Sequence, residues 1–198
     1  EDTFKIREYT DNNNVRTATV IGGGFIGLEM AENLVERGLQ VAVVQVSNQV
    51  MAPLDFEMAS LVHTQLKEKG VKLLLNVEVK KFEDEGRKLL LSNGSELESD
   101  VTIMSIGVQP ENELAKQAGL KIGDGGGIVV NEYLQTTDEH IYAIGDAVQV
   151  KDFIFQNDTM IPLAGPANRQ GRLVADNIYG KQSSYKGILG TSVAKVFD

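Results

Sequence analysis

Gly22, Gly24 and Gly27, in the stretch "TATVIGGGFIGLEMAENL" at 17–34, are spaced G-x-G-x-x-G between a β-branched run and an amphipathic one. At a strand-to-helix junction each glycine has its own use. The first permits a tight turn, the second lets a pyrophosphate approach the backbone, and the third lets the helix lie close on the strand. The N–H groups that open the helix lack intrahelical acceptors and sit at the positive end of its dipole, so they can hold an anion without a charged side chain. A plain turn would use glycine too, for access to positive φ. A second cluster, "GDGGGIVV" at 123–130, is followed by a strand pattern instead of a helix and reads as a turn. The contrast favours nucleotide binding at the first cluster.

A dinucleotide fingerprint also expects an acid about 20 residues further on, closing the second strand and gripping the ribose 2′-hydroxyl. Gln45 stands there, an acceptor without charge, and the following "VSNQVM" has no Arg or Lys for a 2′-phosphate. NADH is the expected cofactor, with NADPH possible. Glu29, two residues past Gly27, has two readings at this point: a solvated helix acid in series with Glu32 and Glu36, or a carboxylate beside the cofactor. His63 and His140 lack ligand spacing and read as packing or surface residues, and no metal site is expected. The absence of cysteine excludes disulfides, thiolate metal ligands and thiol nucleophiles within these residues.

The elements that must hold these residues follow from periodicity. Residues 1–14, "EDTFKIREYTDNNN", read as a linker with at best a helical spacing of Phe4, Ile6 and Tyr9. "TATVI" is a strand. The helix after it carries Ile26, Met30 and Leu34 at steps of four and stops at Gly38, and "LQVAVVQV" is a continuous apolar strand of the kind a parallel sheet buries on both faces. Residues 17–46 thus form a βαβ unit. "DFEMASLVHTQLKEKG" is a second helix, with Asp55 at its N-cap and Gly70 at its end, followed by the strand "VKLLL". Residues 77–99 alternate and turn at Asn93-Gly94, predicting an antiparallel meander, and "DVTIMSIG" returns to the sheet. "ENELAKQAGL" is a short helix, a domain boundary is expected near Ile122, and "VAKVFD" is a strand-like end.

At 198 residues the chain holds one large domain or two small ones. Its net charge of −9, from 28 acidic and 19 basic side chains, argues against a nucleic-acid partner. No apolar run approaches the roughly 20 residues that span a bilayer, and no leader pattern opens the chain, so a cytoplasmic protein without a membrane partner is expected. A start without methionine and an abrupt apolar end suggest a piece of a longer protein.

Four blocks, "TATVIGGGFIGLEMAENL", "SIGVQPENELAKQAGL", "TTDEHIYAIGDA" and "IPLAGPANRQGRLVADNI", in this order and spacing, resemble the flavin-dependent pyridine nucleotide-disulfide oxidoreductases. Within that family the likeness is to the branch of coenzyme A-disulfide reductases and NADH oxidases, and it spans nearly the whole chain. The resemblance implies an α/β fold: a Rossmann-like NAD(P)H domain at 15–122, with a parallel sheet, helices and a small antiparallel meander, followed at 123–198 by part of a split FAD domain.

It also assigns residues. Gly22, Gly24, Ile26 and Gly27 would line the NADH site, Gly107 would approach the nicotinamide half, and Glu29 would stand near the nicotinamide ring. Asp146 matches the acid that binds the FAD ribityl hydroxyls. Pro166 fits the first turn of a helix whose Leu163 and Ala164 N–H groups would face the flavin. Asn168 and Arg169 lie where related reductases approach flavin or coenzyme A. The family's redox cysteine, N-terminal FAD fingerprint and C-terminal dimerisation domain have no counterpart in these residues. The chain alone is therefore expected to be inactive and without bound FAD, as part of a homodimeric parent carrying hydride from NADH to FAD and on to a disulfide. An NADH oxidase or peroxidase is the alternative within the family, and a stand-alone NADH-sensing module the alternative outside it.

Overall fold

The computed structural model describes residues 2–12 and 14–197. Glu1 and Asn13 of the expected linker, and Asp198 of the expected flavin-domain portion, lie outside the described residues. The chain forms two compact units, one made of the residues up to Gly107 together with the closing residues from Ala194, the other of Val108–Val193.

The first unit opens with helix α1 (Asp2–Asn12), where the sequence predicts a linker. No residue of α1 is buried, but Ile6 packs partly against the unit's main core and Tyr9 Oη donates to the Asp100 carbonyl at 3.3 Å. Arg7 and Asp11 pair one turn apart at 3.7 Å, which supports a helix that hydrophobic spacing alone barely shows. Strand β1 (Thr17–Ile21), helix α2 (Phe25–Glu36) and strand β2 (Gln40–Gln45) form the expected βαβ unit. Helix α3 (Phe56–Glu68) leads to β3 (Lys72–Leu75). Strands β4 (Val79–Glu83), β5 (Lys88–Leu91) and β6 (Glu96–Glu98) make the antiparallel meander, and β7 (Val101–Met104) rejoins the parallel sheet in the order β3-β2-β1-β7.

Strand β2 shows why its sequence is continuously apolar. Val41 and Val43 face the core shared with α2, while Ala42 and Val44 face a second core with Leu89, Leu91 and Leu97 of the meander. Both faces are covered, so neither set of side chains meets water.

The buried line of α2 differs from the one expected. Gly27, Leu28, Ala31 and Leu34 are inside, whereas Ile26 is 53% exposed. Gly27, Leu28, Ala31 and Leu34 recur at steps of three and four and so share one helix face, and Ile26 lies off that face. Asp55 takes the N-cap position of α3, but its side chain makes no capping hydrogen bond. Asp100 ties the start of β1 to the start of β7, accepting from Arg16 N–H, Thr17 N–H and Thr17 Oγ1, each at 2.9 Å. The two backbone donors hold its carboxyl below the usual carboxylate range.

The second unit holds helix α4 (Glu113–Gln117), strands β8 (Ile128–Val129), β9 (Val148–Lys151) and β10 (Asp158–Thr159), and helix α5 (Ala164–Ile178). Its core gathers Leu134, Val148, Val150, Tyr185 and Ile188. The compact division therefore falls after Gly107, ahead of the Ile122 expected from the glycine cluster. Asn112 Nδ2 donates to the Gly126 carbonyl at 2.6 Å, and Val129 N–H donates to the Lys121 carbonyl at 3.0 Å, so the short helix and the glycine turn close on each other. The end of the chain is also placed differently. No strand is found at 194–197; instead Phe197 is buried in the first unit, its N–H donating to Glu32 Oε2 at 2.9 Å.

Candidate nucleotide site

The glycine turn stands at the carboxyl end of β1, between β2 and β7, where the sheet's connections diverge to either side. Ligands of open parallel sheets enter at such a switch point. A cleft of about 520 Å³ opens there. It is lined by Gly22, Gly23 and Gly24, by Gln45 at the end of β2 and by Ser105 and Gly107 beyond β7.

Three of the four glycines are needed by the protein itself. Gly22 adopts φ +104°, and a Cβ there would overlap the Ser105 carbonyl. A Cβ on Gly27 would overlap the Gly22 carbonyl, and one on Gly23 would come within 2.6 Å of Val50 Cγ1. Gly24 is different: it is exposed, in an ordinary extended conformation (φ −81°), and a Cβ there would meet no protein atom within 4 Å. The fold does not ask for glycine at 24, whereas a pyrophosphate lying on the backbone would. The first intrahelical bond of α2 runs from Leu28 N–H to the Gly24 carbonyl at 3.0 Å, so the N–H groups before Leu28 remain for an anion. This arrangement fits a dinucleotide.

Several supports of the turn were not visible as such in the sequence. Ser105 Oγ lies 2.9 Å from the Ile21 carbonyl and 3.0 Å from that of Gly22, reaching under the turn from β7. The loop after β2 closes on it as well, with Met51 N–H donating to the Gly23 carbonyl at 2.8 Å. Buried His63 accepts from Val50 N–H through Nε2 at 3.1 Å, a packing role as expected for it. Burial, with Lys67 adding to it, lowers the His63 pKa from 6.5. The signal for these supports was the extra glycine at 23, which a G-x-G-x-x-G pattern leaves unexplained.

The structure groups the expected site residues of this unit unevenly. Gly22, Gly24, Gln45 and Gly107 line the cleft, and Gly27 is buried beneath the turn. Ile26 and Glu29 are exposed on α2 and do not line it. Gln45 is engaged at both ends of its amide: its Oε1 accepts from the Gly23 N–H at 2.9 Å and its Nε2 donates to Ser47 Oγ at 2.6 Å.

In the second unit, Asp146 lies in a one-turn 3-10 segment, Gly145–Ala147, and lines a separate cleft of about 610 Å³ with Pro162 and Ala167. Its carboxylate is exposed and unpaired among the described residues. Buried Gln170 fixes this segment by accepting the Gly145 N–H at 2.7 Å, a contact between the blocks "IYAIGDA" and "PANRQG" that neither block shows alone. Leu163 is the N-cap of α5 and Ala164 its first residue, with Pro166 in the first turn as expected. Asn168 and Arg169 are both exposed; Arg169 lines a further cleft of about 630 Å³ with Pro166 and Tyr185, and Asn168 does not. An acid and a helix N-terminus flanking concave surface suit the hydroxyls of a flavin and the negative charge its ring gains on reduction. Among the described residues no cluster of His, Cys, Asp or Glu could hold a metal ion, and no helix is long and apolar enough to cross a membrane.

Known proteins resemble this arrangement throughout. An NAD(P)H sulfur oxidoreductase (CoA-dependent) of Pyrococcus furiosus is 38% identical over 201 residues, covering 100% of this chain and 45% of that protein. An NADH oxidase of Methanocaldococcus jannaschii is 39% identical over 200 residues, covering 100% and 44%. The crystal structure of reduced Bacillus anthracis CoADR-RHD superposes with a TM-score of 0.96 at 56% identity, over 99% of this chain and 35% of that one. The chain thus spans less than half the length of each of these proteins. Residues 2–171 match the profile of one family, and the chain belongs to it: the pyridine nucleotide-disulphide oxidoreductases.

Proposed function

We propose that this chain is the NADH-binding part, joined to part of the FAD-binding part, of an enzyme that passes electrons from NAD(P)H through FAD to a disulfide such as coenzyme A disulfide. The reading rests on Gly24, the one glycine of the turn that has no protein neighbour to make room for. The nucleotide portion is the first compact unit from Val15 to Gly107, and the flavin portion lies in the second unit. The nicotinamide supplies a hydride and the flavin accepts it when both are bound. The chain's own residues bind and orient. Gly24 and the N–H groups opening α2 take the pyrophosphate, Gly107 leaves room for the nicotinamide half, and Ile26 and Glu29 stand on the exposed side of α2. Asp146 holds the flavin's ribityl hydroxyls, and the N-terminus of α5 at Leu163 and Ala164 favours negative charge on the ring. Arg169 and Asn168 approach the substrate side. The parent is a cytoplasmic homodimer on this reading, which gel filtration of the full-length protein tests.

Titration of NADH into the chain and into Gly24→Val tests the core of the proposal. The expected result is weak binding by the wild type and none by the variant, with unchanged circular dichroism. Equal affinity in both would defeat the assignment. A second acceptor is favoured by the similarity to the M. jannaschii NADH oxidase. Following NADH consumption by the full-length parent with coenzyme A disulfide under anaerobic conditions, against oxygen alone, separates the two.

A further inference from the structure

The glycine turn carries a contact that the nucleotide fingerprint does not explain. Gly23 is buried and pinned on three sides. Its N–H donates to Gln45 Oε1 at 2.9 Å, its carbonyl accepts from Met51 N–H at 2.8 Å, and its Cα lies against Val50. Gln45 is itself held at its other end, where Nε2 donates to Ser47 Oγ at 2.6 Å and Ser47 Oγ donates to the Gln49 carbonyl at 2.8 Å. The loop thus gripped is fastened to α3 through Val50 N–H and His63. Gln45 therefore bridges the phosphate-binding turn and the loop that buttresses it.

We infer that Gln45 is a positioning residue: it sets the pyrophosphate-binding turn through Gly23 and does not discriminate NADH from NADPH at the ribose. This rests on the reading of the cleft as a dinucleotide site. The physical argument is that both ends of the side chain already have protein partners. An amide has one oxygen with two lone pairs and one nitrogen with two N–H donors, and here one bond at each atom goes to the protein at normal hydrogen-bond distance. One lone pair and one N–H remain, so the two roles must be separated by their consequences. A residue that contacts the 2′-hydroxyl affects NADH selectively, because NADPH has a phosphate there. A residue that places the turn acts on the pyrophosphate, which both cofactors share.

The experiment titrates NADH and NADPH into the 198-residue chain and its Gln45→Met, Gln45→Glu, Ser47→Ala and Gly24→Val forms. Methionine keeps the length of glutamine and removes the acceptor, leaving the Gly23 N–H unpaired. Both cofactors should weaken about tenfold in Gln45→Met, with their ratio unchanged. Gln45→Glu restores an acceptor for Gly23 and should return NADH affinity to within about threefold of wild type. Ser47→Ala loosens only the far end of the bridge and should weaken both cofactors equally, about twofold. Selective loss of NADH in Gln45→Met, or no loss at all, would overturn the inference. Wild-type affinity in Gly24→Val would instead overturn the reading of the cleft, so the two failures are distinct.

Hydrogen exchange supplies a readout that needs no ligand. The Gly23 amide should exchange about tenfold faster in Gln45→Met and at the wild-type rate in Gln45→Glu. An unchanged rate in Gln45→Met would show that Gln45 does not hold the turn. Should Gln45→Met fail to fold, the Gln45→Glu and Ser47→Ala arms decide alone, since equal small losses for both cofactors are required of the second.

Discussion

The two glycine turns, at 22–27 and at 123–127, have similar composition and opposite surroundings. At 123–127, Gly123 backs onto the Gln149 side chain, Gly126 onto Pro110 at 3.1 Å, and Gly127 onto Met160 Sδ at 2.5 Å and Gln149 N at 2.9 Å. Even Gly125 has Met160 Cε at 3.3 Å. Every missing Cβ in that turn is filled by protein, and the turn leads into the two-residue strand β8. At 22–27, three glycines are filled in the same way, but Gly24 opens onto solvent at the mouth of a 12-residue helix. A glycine that the fold does not use is the one available to a ligand. The number of glycines is the same kind of signal in both places; their neighbours decide what it means.

Substitutions by alanine should rank the glycines by those neighbours. Gly27→Ala forces a methyl against the Gly22 carbonyl, a backbone atom that cannot rotate away. It should cost about 3 kcal/mol or more in urea unfolding and abolish NADH binding as the turn shifts. A loss below about 1 kcal/mol would mean the helix can slide off the strand and would break the contrast.

Gly127→Ala should cost about 1–2 kcal/mol, because a flexible methionine can partly yield while the Gln149 backbone cannot. NADH affinity should be unchanged, as measured by calorimetry. A change in affinity would show that the second turn is not merely structural.

Gly24→Ala should reverse that pattern. Unfolding should shift by no more than about 1 kcal/mol, the range expected at an uncapped N-cap, while NADH binds at least about tenfold more weakly for want of backbone approach. Unchanged affinity would remove the distinction between the turns.

The smallest effect sharpens the comparison through pH. The first turn rests on Val50, which rests on neutral His63; burial lowers this histidine's pKa, so the folded state disfavours the proton that the unfolded chain takes up near pH 6.5. Its contribution is complete above that pH and is lost as pH falls through the lowered value. His63→Gln keeps an acceptor for Val50 N–H and does not titrate. Its stability relative to wild type should therefore improve as the pH of urea unfolding is taken from about 7.5 to about 5, and a constant difference would show that His63 does not feel the proton.

Much of the fold was legible from periodicity. The βαβ unit, the antiparallel meander and the Asn93-Gly94 turn correspond to β1-α2-β2, to β4-β5-β6 and to the hairpin where Gly94 has φ +82°. Helix α1 was not legible as a packed element, because it buries nothing fully and is held by the polar contact of Tyr9 with Asp100, 91 residues away. The compact units divide after Gly107, ahead of the glycine cluster at 123–127, because contacts across that cluster join the short helix α4 to the rest of the second unit.

Sequence by itself determined the class of site: glycines at fixed spacing between a strand and a helix place N–H groups and backbone where an anion can lie, a local consequence of chain geometry. It also determined the family, through four blocks whose order and spacing exceed what any single motif carries. Tertiary structure decided which of these residues the fold engages and which it leaves open. Gln45 stands where a ribose ligand is expected, yet its oxygen meets the Gly23 N–H at 2.9 Å, and Gly24 is distinguished from Gly22, Gly23 and Gly27 only by the absence of a neighbour. Those distinctions depend on hydrogen bonds and contacts between residues far apart in the chain, as when Ser105 supports Gly22 from 83 positions away. Spacing along a chain records none of them, because the partners are brought together only when the sheet closes.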